Sequence, residues 1–429
     1  MPVTSSHSSS SDVPGSVVIV GAGHGGAQVA ASLRQAGFAG SITLIHGEPG
    51  LPYQRPPLSK AYLLGEMEPD RLLLRQEHWY AKQAVELIGD RAARIDRERR
   101  QVHLDGGRVV DYDHLVLATG SRNRELSVPG HHLDGVHGMR TREDADALSG
   151  RIGPEAQVAV VGAGFIGLEF AAVAAARGAK VHVLEMADRA MARAVGEQTA
   201  QFVQDAHAGW GVTLDFGASV VGLEGERTVT GVVTGDERVI AADLVVCGIG
   251  VVPETALATD AELAIENGIR VDGRLLTDDA AISAIGDAVS FPSVHADGRR
   301  VRLESVQNAA DQGRYVAARL TGGAHHAADY DSLPWFWSDQ GDLKIQIAGL
   351  AESTDATAVL PGRGERELTA LRFRDGRLVA AETVNRAGDH MLARRILAEP
   401  TVPTLEQATA PGFELKQWLE EHSLAASGR

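Results

Sequence analysis

Two stretches of this chain repeat one pattern, and that pattern leaves little freedom in how either can fold. "VVIVGAGHGGAQVAASLRQAG" opens with four β-branched residues, Val17 to Val20, the run expected of a strand buried on both faces of a parallel sheet. Gly21, Gly23 and Gly26 follow, then a helical pattern and a second strand, "SITLIHGE". "VAVVGAGFIGLEFAAVAAARGAKVHVLE" runs through the same series: a strand Val158 to Val161, then Gly162, Gly164 and Gly167, a helix, and a strand ending at Glu185. The first glycine of each triplet permits a tight turn, the second lets backbone approach a pyrophosphate, and the third lets the helix pack close to the strand. Helix N-terminal amides then meet phosphate oxygens. A glycine triplet alone is a weak sign, but strand, helix and second strand in order around each one point to two dinucleotide-binding units.

A carboxylate at the end of the second strand of such a unit accepts hydrogen bonds from an adenosine ribose and repels a 2'-phosphate. Glu185 stands there in the second unit, which favours NADH over NADPH. In the first, His46 and Gly47 precede Glu48, the candidate for the same task.

Shorter signals tell how the units are connected. "YDHLVLATGS" is a strand running into Ala118, Thr119 and Gly120; "ADLVVCGIGVVPE" is a strand running into Gly248 and Gly250; "ISAIGDAV" sets Asp287 just after another strand. The first two bracket the second nucleotide unit, so the chain leaves the first domain near residue 120 and returns near 250. After about 330 the pattern turns to short alternating strands and a final helical stretch, with Gly376 in "RDGR" marking a hairpin turn. The expected architecture is α/β: two Rossmann-like dinucleotide-binding domains, the second inserted in the first, plus a C-terminal α+β domain. Its bounds are 16–120 with 249–329, 121–248, and 330–429.

Composition narrows the function classes. The 429 residues suit about two to four domains at roughly 100 to 200 residues each. A formal net charge of -16 repels nucleic acid, and an acidic partner would need a local basic patch. No run approaches the ~18 uninterrupted apolar residues of a membrane helix. Residues 1–15, polar and serine-rich, read as a disordered tail without the features of a signal peptide, so a soluble, cytoplasmic protein is expected. The single cysteine, Cys247, excludes an internal disulfide or dithiol redox pair; in its apolar strand it reads as a small buried hydrophobe. The histidines, His325 and His326 included, show no metal-ligand spacing.

"LPYQRPPLSK" poses the remaining question, since two prolines restrict a loop that delivers Ser59 and Lys60. With both nucleotide units, the chain resembles the two-dinucleotide flavoproteins that include glutathione reductase. "YQRPPLSKAYL", "RLESVQNAADQGR" and "PWFWSDQGDLKIQIAGL" look more narrowly like the FAD-dependent, NADH-using ferredoxin reductases that serve bacterial haem monooxygenases and Rieske-type dioxygenases.

The resemblance implies FAD at the first glycine motif and NADH at the second. Where disulfide reductases carry their cysteine pair, this chain has the proline–lysine loop. Lys60 would lie near flavin N5 and pair with Glu169, a cation favouring the anionic reduced ring. Arg55, Ala92, Arg140, Asp287 and Val306 match flavin contacts; Ile166, Glu185, Arg193, Gly250 and Glu304 match coenzyme contacts. Trp337 would lie beside the flavin ring near the docking site of a 2Fe–2S ferredoxin, whose basic counterparts would be Arg75, Arg314 and Lys416. Hydride would pass from NADH to FAD and single electrons onward, in a monomer or weak homodimer. The alternatives are a flavin NADH oxidase or peroxidase and an NADH-sensing redox signalling flavoprotein.

Overall fold

The computed structural model describes residues 13–322, 328–362 and 364–426. Residues 1–12 and the pair His325–His326 lie outside them. Order begins before residue 16, because the Gly15 carbonyl accepts the Ser41 N–H at 3.0 Å. The chain divides into two compact units: residues 13–53, 73–121, 253–322 and 328–332 form the first, and 54–72, 122–252, 333–362 and 364–426 the second.

In the first unit five parallel strands run in the order Ile282–Ala284, His114–Leu117, Ser16–Val20, Ser41–His46 and Val85–Gly89. Val17 to Val20 are buried, as a strand covered on both faces must be. A three-stranded antiparallel sheet of Ala92–Asp96, Gln101–Leu104 and Val109–Asp111 connects Val85–Gly89 to His114–Leu117. Helix His24–Gln35 crosses helix Val306–Leu320 closely at two glycines: a Cβ on Gly313 would stand 2.8 Å from the Gly25 carbonyl oxygen.

The second unit repeats the plan. Its parallel sheet runs Thr213–Phe216, Lys180–Glu185, Gln157–Val161, Leu244–Cys247 and Val136–Gly138, and the antiparallel triplet Val220–Glu224, Gly231–Thr234 and Val239–Ala241 sits in the equivalent crossover. The same unit holds a five-stranded antiparallel sheet, Trp335–Gln340, Leu343–Gly349, Arg377–Val384, Leu368–Arg374 and Ala356–Leu360, backed by helices Ala387–Leu397 and Leu415–Ala426. Asp375 and Gly376, both at positive φ, turn its last hairpin. A buried ion pair ties this sheet to the nucleotide half: the Gly196 N–H donates to both oxygens of Glu382 at 3.0 and 3.1 Å, and Arg372 donates to the same carboxylate at 2.8 Å. Segment 54–72 packs with the second unit because Ser59 and Lys60 both reach Glu169.

Cys247 is half-buried rather than fully so, because it ends its strand; burial still pushes its thiol up to about 11. Among the described residues no helix is long and apolar enough to cross a membrane.

Among the buried histidines, His114 and His207 fold uncharged. Burial, with the charge of Arg319 as a smaller cause, holds His114 down at about 3, and burial holds His207 at about 4. Both values lie below the unfolded ~6.5, so the unfolded chain takes up protons that the folded chain does not, and stability falls as pH drops below ~6.5. Each histidine should remove up to about 1.4 kcal/mol per pH unit, down to pH ~4 for His207 and ~3 for His114. Urea unfolding at pH 7.5, 6 and 5 should show steepening loss; a flat profile would mean that neither ring is buried neutral.

Candidate functional site

The three glycines of each loop stand in different surroundings. A Cβ on Gly21 would overlap the Ala118 carbonyl, and one on Gly26 would overlap the Gly21 carbonyl. A Cβ on Gly162 would stand 2.6 Å from the Gly248 carbonyl oxygen, and one on Gly167 would overlap the Gly162 carbonyl. Gly21 and Gly162 also take φ of 101° and 105°, which other residues rarely adopt. The middle glycines differ. Nothing lies within 4 Å of a Cβ on Gly23, and only the Gly248 oxygen, at 3.7 Å, on Gly164. Each is the N-cap of a helix and, as glycine, has no side chain of its own to place on the first-turn amides. Open space at the positive end of a helix fits a pyrophosphate, so both loops suit a dinucleotide.

Around the first loop, Glu48 accepts from the Tyr53 hydroxyl and its carbonyl lies 3.1 Å from His46 Nδ1. Ala92 starts the neighbouring antiparallel triplet. Thr119 donates to the Glu254 carbonyl at 2.6 Å, and Gly120, at φ 71°, accepts from the Glu254 N–H at 2.9 Å. Ser121 donates to Asp287 at 2.9 Å, on a 3-10 turn anchored by the Gly286 N–H to Gln312 Oε1 at 2.7 Å. Val306 opens its helix behind the N-cap Ser305.

Around the second loop, the Glu185 carboxylate accepts one N–H per oxygen, from Ala163 at 2.7 Å and Ala187 at 2.8 Å. Each oxygen keeps a lone pair, so a ribose diol can still be bound while the two amides hold the charge in place. Ile166 is exposed at the helix start, and the Arg193 guanidinium lies 3.5 Å from where a Gly250 Cβ would be. Glu304, matched to the same coenzyme, belongs to the first unit and pairs with Arg302 at 2.6 Å.

The loop with two prolines forms a 3-10 turn, Pro56–Ser59, closed by the Lys60 N–H on the Pro57 carbonyl at 3.0 Å. It brings Lys60 Nζ to 2.9 Å from Glu169 Oε1. Glu169 is 3% exposed, so its charge must be met by donors. It has three: Lys60, Ser59 at 2.5 Å and Ser338 at 2.6 Å. Arg55, just before this turn, donates to the Arg140 carbonyl at 2.9 Å, and the Arg140 N–H donates to Asp144. Trp337 lies 5.5 Å from Trp335 in the C-terminal sheet.

The three docking candidates are exposed and already in contact with neighbours of their own unit: Arg75 lies over Trp79 at 5.5 Å, Arg314 pairs with Asp311, and Lys416 stands 3.8 Å from Glu420. Sequence reading missed Ser59 and Ser338 as partners of Glu169, and Tyr53 as the donor to Glu48. For Ser338 a signal existed, a small polar residue at an inward position of the aromatic strand "PWFWSDQ".

Similarity to known proteins covers nearly the whole chain. The family described as pyridine nucleotide-disulphide oxidoreductase matches residues 15–313, and the reductase C-terminal family matches 335–419. Rhodocoxin reductase of Rhodococcus erythropolis is 44% identical over 409 residues, which span 95% of each chain. The crystal structure of the ferredoxin reductase for the CYP199A2 system of Rhodopseudomonas palustris is 48% identical, with a TM-score of 0.90 over 94% of this chain and 99% of its own. The covalent putidaredoxin reductase–putidaredoxin complex matches at 35% identity, with a TM-score of 0.90 over 96% of this chain and 99% of that one.

The glycine geometry separates two kinds of substitution. Gly23→Ala should leave urea stability within about 0.5 kcal/mol while filling the space a pyrophosphate needs, so dinucleotide co-purifying with the protein should be lost. Gly26→Ala should cost stability by about 1–3 kcal/mol, because backbone must move. Equal behaviour of the two variants would contradict the division of labour between the glycines.

Proposed function

This chain belongs to the pyridine nucleotide-disulphide oxidoreductase family, and from that premise we propose that it is an NADH-dependent reductase of a 2Fe–2S ferredoxin with FAD as its resident cofactor. When bound, the flavin supplies the chemistry of taking up hydride and releasing electrons one at a time.

The observation that carries this reading is the Lys60–Glu169 pair. The loop behind the first nucleotide motif holds an ammonium on a buried carboxylate, in the stretch where the family's disulfide reductases carry cysteines. The chain's one cysteine lies on the strand Leu244–Cys247 with its thiol pushed up to about 11, far from a thiolate nucleophile at neutral pH. That disfavours a cysteine-based peroxidase.

The remaining tasks fall to residues already described. The helix amides behind Gly23 would hold the FAD pyrophosphate, Glu48 its adenosine ribose, Ala92 the adenine, and Arg55 and Arg140 further polar groups. Ala118 to Gly120, Asp287 and Val306 would line the ribityl and ring end. Behind Gly164, the second amide cluster with Ile166, Arg193, Gly250 and Glu304 would bind NADH, and Glu185 would select it. Lys60 would keep positive charge beside the reduced ring, Trp337 would flank that ring, and Arg75, Arg314 and Lys416 would receive an acidic ferredoxin serving a haem monooxygenase or Rieske-type dioxygenase. The similarity to a reductase crystallised with its putidaredoxin supports the partner class.

Cytochrome c reduction by NADH that depends on added ferredoxin tests the proposal; equal rates without ferredoxin would reject it. Replacing Glu185 by Ser should erode the NADH preference by about 1–3 kcal/mol, the worth of a charge-assisted hydrogen bond, and a wild type that prefers NADPH would refute the role of Glu185. Arg314→Glu should slow ferredoxin-dependent turnover on the order of tenfold at low salt and weaken its salt dependence, leaving NADH–ferricyanide activity intact. Equal loss in both assays would remove Arg314 from the docking surface.

A further inference from the structure

The motif "PWFWSDQ" holds two residues that the proposed chemistry has not used. Along the strand Trp335–Gln340, Ser338 and Gln340 share one face and are fully buried. That face lies on helix Phe165–Ala176: Phe336 meets Phe165 at 4.5 Å between ring centroids, and one helical turn further on Ser338 meets Glu169. Two residues of strand advance ~6.7 Å and four of helix ~6 Å, so both contacts hold along the crossing.

From Ser338 a line of buried polar groups continues inward. Gln340 Nε2 lies 3.2 Å from Ser338 Oγ and 3.9 Å from Met191 Sδ, and Gln340 Oε1 lies 2.9 Å from His207 Nε2. The direction of each bond is determined. Glu169 can only accept from Ser338, so the Ser338 oxygen is left to accept from the Gln340 amide, which turns the Gln340 carbonyl toward His207. His207, neutral at pH 7 because burial holds it at about 4, must carry its proton on Nε2 to donate there. His207, Gln340 and Ser338 therefore each turn one donor toward Glu169, the second Gln340 N–H going to Met191 Sδ, and the other bonds to Glu169 come from Ser59 and Lys60. Aligned bonds in a low-dielectric interior strengthen one another. Burying a serine, a glutamine and a histidine together is costly, the more so because His207 Nδ1 has no partner among the described residues, and an apolar filling would carry no such cost.

We propose that Ser338 and Gln340, anchored by His207, are positioning residues: they fix the Glu169 carboxylate and, through it, hold the Lys60 ammonium in one place during flavin reduction. The functional half of this rests on the reading of Lys60 as the cation beside the flavin; the structural half does not.

Two measurements on the flavin-loaded protein test the halves separately. The first is a urea-unfolding cycle of Ser338→Ala, Lys60→Met and the double variant. The expected folding constant of the double departs at least about threefold from the product of the singles, because both act on one carboxylate. Simple multiplication would overturn the coupling. The second is the flavin midpoint potential. Lys60→Met should move it to more negative values, Ser338→Ala and Gln340→Met should move it the same way by less, and Ser338→Thr, which keeps the hydroxyl, should restore the wild-type value. If Lys60→Met shifts the potential and Ser338→Ala does not, Ser338 is not a positioning residue. A silent Lys60→Met overturns the reading of Lys60 itself, whatever the unfolding cycle gives.

Discussion

In each glycine loop the carbonyl oxygen of the first glycine crosses so close to the third that no side chain could stand there: Gly21 over Gly26 in the first unit, and Gly162 over Gly167 in the second. These crossings let each glycine-loop helix start directly at the end of its strand, with open space at the middle glycine. The rest follows from them. A strand buried on both faces cannot itself offer a polar site, so the site forms at its C-terminal end, where helix amides and the next strand's carboxylate converge. Glu185 meets that requirement in the second unit with two backbone donors of its own.

The second constraint is electrostatic. A carboxylate as buried as Glu169 needs donors on every side, and the chain supplies them from three separate stretches: Ser59 and Lys60 on the proline loop, and Ser338 on the C-terminal strand. One buried charge thereby joins the loop, the second glycine helix and the C-terminal sheet within one unit. The same group makes Lys60 a fixed cation rather than a mobile surface one, which is what its proposed place beside a flavin ring requires.

Much of this was legible in the sequence because it depends on local pattern. Four β-branched residues and a glycine triplet specify strand, turn and helix within about 20 residues. The crossovers at 121–122 and 252–253 fall close to the points where strands run into "ATGS" and "GIGVVPE". The Lys60–Glu169 contact came through family resemblance and not through spacing, since the two are 109 positions apart in number and nothing local links them. Segment 54–72 packs with the second unit although it lies inside the first in sequence, because its packing is decided by that distant carboxylate. Gln340 and His207 stayed hidden for the same reason: no local pattern shows that a glutamine on a strand and a histidine on a helix will be buried against one another.

The most direct test of the whole is an anaerobic titration of the flavin-loaded protein, first with NADH and then with oxidised 2Fe–2S ferredoxin. The expected result is that one equivalent of NADH bleaches the flavin absorbance and that two equivalents of ferredoxin restore it, each taking one electron. A flavin that NADH does not bleach, or that ferredoxin cannot reoxidise while oxygen can, would contradict the assignment.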